Sequence, residues 1–440
     1  MKRQEVPSLD SMRGWIVTCA ALVGLAVGLS PLPFYTIGMF APEMAREFGW
    51  SFAGLMAAIA VQSVATIIAS PIAGAAIDRF GARPVALISL GLFGLGYMSL
   101  GLNNGSIILF YVQWAIMTVV GSGTLLMPWA RGVNSWFVRR RSLALAIASS
   151  GSGLTGILIK PFAAWLILTH GWRMAFFVIG LLPILLGLPI AAWLFRERVA
   201  PAHQSAGAPA GQSADQAEAG EHPAVQPEWG LTLRQAIRMR SFWVLMISSL
   251  LIAFATTAPT PNMENILRSV GYDLTTIGRI TGVFGLAVIL GRIVAGWLFD
   301  RIWAPGCAFF LLILPALGCW LLSGTHVTEL RAIAAVAALG AAAGFKLNLL
   351  AYLVSRYFGQ RHYGKLLGWF YAVVSAGGGV GPVLFGYSFD QTGSYSLVLS
   401  IAALCIVAGA LLTLLMGPYP DSTHRADAPD PSAPKRRNDQ

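Results

Sequence analysis

Charge is scarce in this sequence. Asp, Glu, Lys and Arg make up only 11% of its 440 residues, where a soluble chain carries roughly a quarter. Apolar residues take 56%, and mean hydropathy is +0.67. A water-soluble fold cannot bury that much apolar surface, so the shortage makes lipid the solvent. Cysteine is scarce too. Cys19, Cys307, Cys319 and Cys405 all lie in apolar runs without CxxC spacing, which supports neither a disulfide framework nor a zinc site. None of the six histidines falls deep in an apolar run, so no hydrolase constellation is expected, nor any metal or cofactor. No small-residue cleavage site follows residues 1–13, which read as a tail before a retained first helix rather than as a signal peptide. Acids are the scarcest of all. There are 19 Asp and Glu against 30 Lys and Arg, and every acid is expected in a loop, a tail or a helix end. The net charge of +11 does not indicate nucleic acid, because the basic residues occupy short gaps between apolar runs instead of forming a patch with interleaved aromatics.

What the chain has is apolar length. A helix needs about 20 mostly apolar residues to cross a bilayer. Twelve runs qualify, at 14–38, 51–76, 84–103, 106–131, 142–168, 172–195, 241–262, 274–297, 305–323, 329–354, 365–388 and 394–416. The expected fold is an all-α membrane protein of twelve transmembrane helices, in two six-helix halves related by pseudo-symmetry. The expected order is an N-terminal tail (1–13), a first bundle (14–198), a linker rich in Ala, Pro, Gln and Gly (199–240), a second bundle (241–416) and a disordered tail (417–440).

The halves carry matching signatures. Gly74-x-x-x-Asp78-Arg79-x-Gly81-x-Arg83 lies between the second and third runs, and Gly296-x-x-x-Asp300-Arg301 lies between the eighth and ninth. Such a repeat half a chain apart points to the doubling of one unit. Ser149-Ser-Gly151-Ser-Gly153 is echoed by Ser375-Ala-Gly377-Gly-Gly379. Small residues let helix backbones approach closely in lipid, so these segments are expected at the seam between the halves. Lys and Arg crowd the segments that share a side with the N-terminus, while Arg46, Arg173, Arg268 and Arg331 alone fall on the other side. The positive-inside rule then places both tails, the linker and both Asp-Arg turns in the cytoplasm. High Arg and Ala usage points to a bacterial inner membrane.

These features resemble the major facilitator superfamily of transporters. The first signature is similar to that superfamily's loop motif between helices 2 and 3, with Pro84 at its last basic position; in the second copy Trp303 stands for a glycine. A narrower resemblance is to the monocarboxylate-porter and oxalate/formate-antiporter group. It rests on Trp136-Phe137, on Arg140-Arg141-Ser142-Leu143-Ala144, on Gly151-Ser152-Gly153 and on Gly171-Trp172-Arg173-Met174-Ala175-Phe176. That resemblance implies a helix 8 arginine that engages a substrate carboxylate, matched here by Arg292, and proton symport. Val288 stands where monocarboxylate porters often carry an aspartate, Phe34-Tyr35 where they often carry a lysine, and no lysine lies in 368–381 where the antiporters have one.

Four cations lie within the apolar runs: Lys160, Arg279, Arg292 and Lys346. An ionisable group there costs roughly 2.5–3.5 kcal/mol by insertion scales, so each is a functional candidate. A cationic interior without internal acids calls for an anion. Guanidinium holds a carboxylate through paired hydrogen bonds, and lysine adds a point charge. Arg292, Lys346 and Lys160 are therefore the candidate substrate ligands, with Tyr35, Asn348 and Tyr371 as candidate walls. Gln62, Trp114, Trp129 and Asn262 are further wall candidates. Arg292 also fits a gate contact, Lys160 a carbonyl freed by Pro161, and Arg279 a headgroup contact at the outer end of its helix. Gly74, Asp78, Arg79, Gly81, Arg83, Asp300 and Arg301 are the candidate cytoplasmic gate, with Asp78 facing a helix N-terminus.

Two motif matches fail on context. Gly151-x-Gly153-x-x-Gly156 follows no strand, and Gly359-x-x-x-x-Gly364-Lys365 ends in Leu366 where a hydroxyl would hold magnesium. No ATP-driven mechanism is therefore expected, and no enzyme. The sequence reads as a secondary transporter of a small organic anion, a mono- or dicarboxylate, by proton symport or anion exchange. The alternative is a transporter-like sensor that binds the anion without moving it. Expected partners are the anion, protons and the lipid bilayer; no oligomer is indicated.

Overall fold

The structure, a computed structural model, describes residues 12–137, 141–197, 230–299, 304–324, 327–359 and 363–417. It is helical in twelve spans. Span 1 is broken into Met12–Ala26 and Leu32–Phe48. Spans 2 to 4 are Phe52–Phe80, Ala82–Leu102 and Ile107–Asn134, and spans 5 and 6 cover 141–170 and 171–194. The second half has Arg240–Ser269, Leu274–Phe299, Ala304–Leu322, Glu329–Phe358, Tyr363–Thr392 and Ser396–Leu414 as spans 7 to 12. In lipid every backbone N–H and C=O must be paired within the protein, which leaves helices as the form such apolar runs can take.

The ends follow from local chemistry. Ser51, Ser106 and Thr328 cap spans 2, 4 and 10 by accepting hydrogen bonds from backbone N–H groups three residues on. The turn between spans 5 and 6 rests on Gly171, whose φ of 79° is left-handed. The break in span 1 is mended by Thr124 of span 4, whose hydroxyl accepts from the Leu29 N–H at 2.9 Å. The expected linker, 199–240, divides in two. Its 199–229 part lies outside the described residues. Its last stretch is ordered against span 10: Leu231 N–H donates to Phe358 O at 2.8 Å, and Thr232 and Gln235 form a capping box on a short helix. Residues 1–11 and 418–440 also lie outside the described residues.

The side of the molecule that carries residues 197 and 230 is termed the linker side, and the opposite side the far side. The halves meet chiefly through spans 5 and 8 and through spans 2 and 11. Glycines set the first contact. A Cβ on Gly285 of span 8 would collide with the Gly153 carbonyl oxygen of span 5, and one on Gly156 would lie 3.0 Å from Gly285 Cα. At spans 2 and 11 a Cβ on Gly379 would lie 3.1 Å from Ser63 Oγ. Backbones this close gain dispersion contacts over a long face, which drives helix association where lipid removes the hydrophobic effect.

This packing carries a stability expectation. Gly285→Val should lower the melting temperature of the purified protein, because overpacking of a fitted contact costs about 1–3 kcal/mol. Gly368→Ala, at a site with nothing within 4 Å of the added methyl, should leave it unchanged. Thermal unfolding of both variants in detergent checks the pair, and equal melting temperatures would contradict the backbone contact.

Candidate functional site

Lys160 does not satisfy a carbonyl freed by Pro161. Its Nζ lies 2.7 Å from Glu264 Oε1, with the two side chains 0% and 2% exposed. This corrects the expectation that no acid lies inside a span. The apolar run of span 7 ends near Asn262, but its helix continues to Ser269 and carries Glu264 inward. Pro259 and Pro261 fall in the first turn of that continuation, where a missing N–H is tolerated. Asn262 ties the bend to span 11 by donating to Ala258 O at 3.0 Å and Pro382 O at 3.2 Å. Gly38 of span 1 makes room, since a Cβ there would collide with Pro261 O and the Glu264 carboxylate.

The ion pair joins the halves, for Lys160 is on span 5 and Glu264 on span 7. Neither charged group has a hydrogen-bond partner of good geometry, and the buried Asn265 amide beside them has none. The Lys160 ammonium also stands 5.9 Å from the Tyr35 ring and 5.6 Å from the Phe284 ring, which meet edge to face. Cation–π attraction of this kind adds to the pair.

Arg292 lies two helical turns beyond Phe284 on span 8, toward the linker side. It reaches across the seam to span 5, donating to the Ser149 carbonyl and to Ser152 Oγ at 3.1 Å. No carboxylate stands within ion-pair distance of it among the described residues. Arg292, Tyr35 with Phe284, and Lys160 with Glu264 thus form a column along the seam of spans 1, 5, 7 and 8. Lys346 stands apart, between spans 7 and 10. It donates to Thr257 Oγ1 at 2.8 Å and Thr256 Oγ1 at 3.4 Å, with no carboxylate paired to it among the described residues, beside a void of about 40 Å³. Arg279 is 67% exposed and 3.5 Å from Glu329 on the far surface.

Tyr371 is in a third place. With Thr66, Ser70, Gly74, Met127 and Ser375 it lines a cavity of about 780 Å³ between spans 2, 4 and 11, toward the linker side. Gln62 donates to Leu29 O, and Trp114 and Trp129 are core residues. The Asn348 side chain lies outside the described residues.

Of the expected gate, Asp300, Arg301 and the Asp78 side chain lie outside the described residues. Arg79 lies over the Phe80 ring at 5.2 Å, and Arg83 donates to the Ala192 carbonyl. Gly81 has a φ of 87° and opens the start of span 3. Glu197, unremarked in the sequence, caps that start by accepting from Ala82 N–H at 3.0 Å, and pairs with Arg131 at 2.7 Å. Arg131 in turn donates to Ile77 O at 3.1 Å. One carboxylate thereby ties the linker-side ends of spans 2, 3, 4 and 6. The far side is closed between the halves by different contacts. Asp390 of span 11 accepts from the Phe52 and Ala53 N–H groups at 2.9 and 2.8 Å, and Arg268 is 3.9 Å from Glu43.

Stability tests the buried pair. Lys160→Met strands a carboxylate, which costs about 3–5 kcal/mol and less as the carboxyl takes up a proton. Lys160→Met with Glu264→Leu should recover most of the lost melting temperature. A double variant no more stable than the single one would refute an energetically coupled pair.

Comparison with known proteins places this geometry. The sequence profile of the Major Facilitator Superfamily matches residues 23–332 and 245–438. Monocarboxylate transporter 11 of Homo sapiens is 25% identical over 413 residues, which span 92% of this chain and 83% of that protein. A gallate transporter of Pseudomonas putida is 29% identical over 286 residues, 60% of this chain and 61% of that one. Among solved structures, the nucleoside transporter NupG superposes with a TM-score of 0.70 at 12% identity, covering 92% of this chain and all of that one. A bacterial homolog of the human lysosomal transporter Spinster, inward-facing and occupied, gives 0.60 at 15% identity, over 93% and 96% of the two chains.

Proposed function

The chain belongs to the Major Facilitator Superfamily and is a multi-pass integral membrane protein; from that premise we propose that it moves a small organic anion, a mono- or dicarboxylate, by alternating access. The observation that carries this reading is Arg292. A guanidinium at the seam, held by a carbonyl and a hydroxyl and facing no carboxylate among the described residues, has donors to offer a carboxylate in paired geometry. Lys346 is a second cation held by hydroxyls and by no carboxylate among the described residues. Lys160 differs, because Glu264 already neutralises it; it meets substrate only when that pair parts. The proposed ligands are Arg292 and Lys346 first, then Lys160, with Tyr35 as a wall. Asn348 and Tyr371 complete the proposed set.

The relatives support the substrate class. A protein named for monocarboxylates and one named for gallate, an aromatic carboxylate, share the anionic group that Arg292 suits. We place the linker, both tails and the Asp-Arg turns in the cytoplasm of a bacterial inner membrane, on the asymmetry of Lys and Arg. In this orientation the cavity that holds Tyr371 lies toward the cytoplasmic side. Both proton symport and anion exchange fit the cations; the buried Glu264 supplies a proton acceptor for the first.

Uptake into proteoliposomes tests the proposal. Labelled lactate, oxalate and gallate should be offered with an inward proton gradient, and separately with unlabelled anion inside, against empty liposomes. At least one should accumulate. For that anion Arg292→Gln should raise the apparent KM about 10- to 100-fold, the worth of a charged hydrogen-bonded contact of about 1.5–3 kcal/mol. Unchanged affinity in Arg292→Gln would remove it from the site, and no flux for any of the three would overturn the anion reading.

A further inference from the structure

We propose that Glu264 carries the proton in transport, and that its protonation opens the far side by releasing Lys160. The inference rests on the transport reading above and assigns the coupling step to named atoms.

The pair is a clamp between moving parts. Far-side opening must separate spans 1 and 5 from span 7, and so must draw the Lys160 ammonium away from the Glu264 carboxylate, now 2.7 Å apart and out of water. Two stranded charges in a low-dielectric seam are too unfavourable for the open state to be populated. A proton on Glu264 removes one charge and the attraction that holds the pair, which is enough to release the far side; in transport an anion at Lys160 then compensates the other. The other far-side contacts lack this property. Asp390 with the start of span 2, and Glu43 with Arg268, are partly exposed, so water can take over their partners as they part.

The surroundings leave Glu264 with a single counterion. Among the described residues it accepts no well-formed hydrogen bond from a hydroxyl or a backbone N–H, and Lys160 is the one cation paired with it. A carboxylate substrate that reaches Lys160 competes for the same ammonium. The displaced Glu264 then has no donor, and binding a proton restores neutrality. One monoanion and one proton enter together, with no net charge moved. The charged and titratable groups around the pair fit this division. Tyr35 of span 1 faces the ammonium across its ring, 5.9 Å away. Arg292 of span 8 lies two turns deeper, and Lys346 of span 10 is held by Thr256 and Thr257. Toward the far surface Glu43 of span 1 meets Arg268 of span 7. No second carboxylate is paired with Lys160 among the described residues. The Tyr35 and Phe284 rings stand between the two cation stations, Lys160 on the far side and Arg292 on the linker side.

The experiment needs no substrate. Spin labels at Asn104 and Leu330, exposed on the far side of the first and second halves, report the opening as a distance. The four native cysteines are replaced by alanine, and the protein is held in lipid nanodiscs from pH 8 to pH 5. The wild type should populate a longer distance as pH falls, with an open-to-closed ratio rising by up to about tenfold per pH unit, the slope of one linked proton. Glu264→Gln should show the longer distance at both ends of the range and no pH response. Glu264→Asp, which keeps a carboxyl, should retain a response with a shifted midpoint. A wild-type distance that ignores pH would overturn the proposal, as would a Glu264→Gln variant that responds like the wild type. The wild-type titration decides even where a variant fails to fold. Failure of the transport reading gives a different result, because labels that move with pH while no anion is taken up would leave the clamp intact.

Discussion

A charge inside a membrane protein must be neutralised by another part of the same protein or by something that arrives. That constraint organises this molecule. Lys160 has its countercharge, Glu264, across the seam of the two halves. Among the described residues Arg292 and Lys346 have only carbonyl and hydroxyl oxygens. The first cation ties the halves together, and the other two have no countercharge among those residues. Much of the local architecture serves the tie. Span 7 bends at Ala258 and continues as helix so that Glu264 points inward, Gly38 clears the space, and Asn262 pins the bend to span 11.

The buried pair is poorly supported for its depth. An ion pair in a low dielectric is favourable when further hydrogen bonds satisfy its remaining lone pairs and protons, and here they do not. A pair built only for stability would be better replaced by apolar side chains of the same volume. Retention of two charges, out of water, at a place where the halves must separate on the far side is consistent with a contact built to be broken. Glu197 makes the contrast. It accepts from a backbone N–H and pairs with Arg131, and among the described residues its partners belong to the first half. It holds helix ends within one half and has no need to part.

The sequence made the spans legible because apolar length is the dominant signal in lipid. It made the cations legible because a charge stands out in an apolar run. Lys160, Arg292 and Lys346 were all visible in this way. Glu264 was not, for a definite reason. Pro259, Pro261 and Asn262 end the hydropathic run, yet two prolines at the start of a helix do not end the helix. A reading by helical continuity, with Glu264 one turn past Thr260 and followed by Ile266 and Leu267, would have carried span 7 further. Grouping was harder still. Arg292, Lys160 and Tyr35 share a seam, but Lys346 lies behind span 7 and Tyr371 lines a separate cavity with Ser70 and Met127. Which spans are neighbours is decided by tertiary packing, and no spacing within one span reports it.

The glycine contact explains how the two stations can work in opposition. Gly153, Gly156 and Gly285 bring spans 5 and 8 into backbone contact at a level between Arg292 and Lys160. Lys160 lies one turn beyond Gly156 toward the far side, and Arg292 lies two turns beyond Gly285 toward the linker side. Small-residue contacts tolerate a change of crossing angle better than interlocked large side chains do, because few side chains must be withdrawn. In the proposed cycle the halves rock about this contact. Motion that opens the far side pulls Lys160 from Glu264 and presses Arg292 toward Ser149 and Ser152; motion the other way reseats the pair and draws Arg292 off span 5. An anion neutralises whichever cation has lost its partner, so the demand for a countercharge passes from one end of the column to the other as the molecule turns.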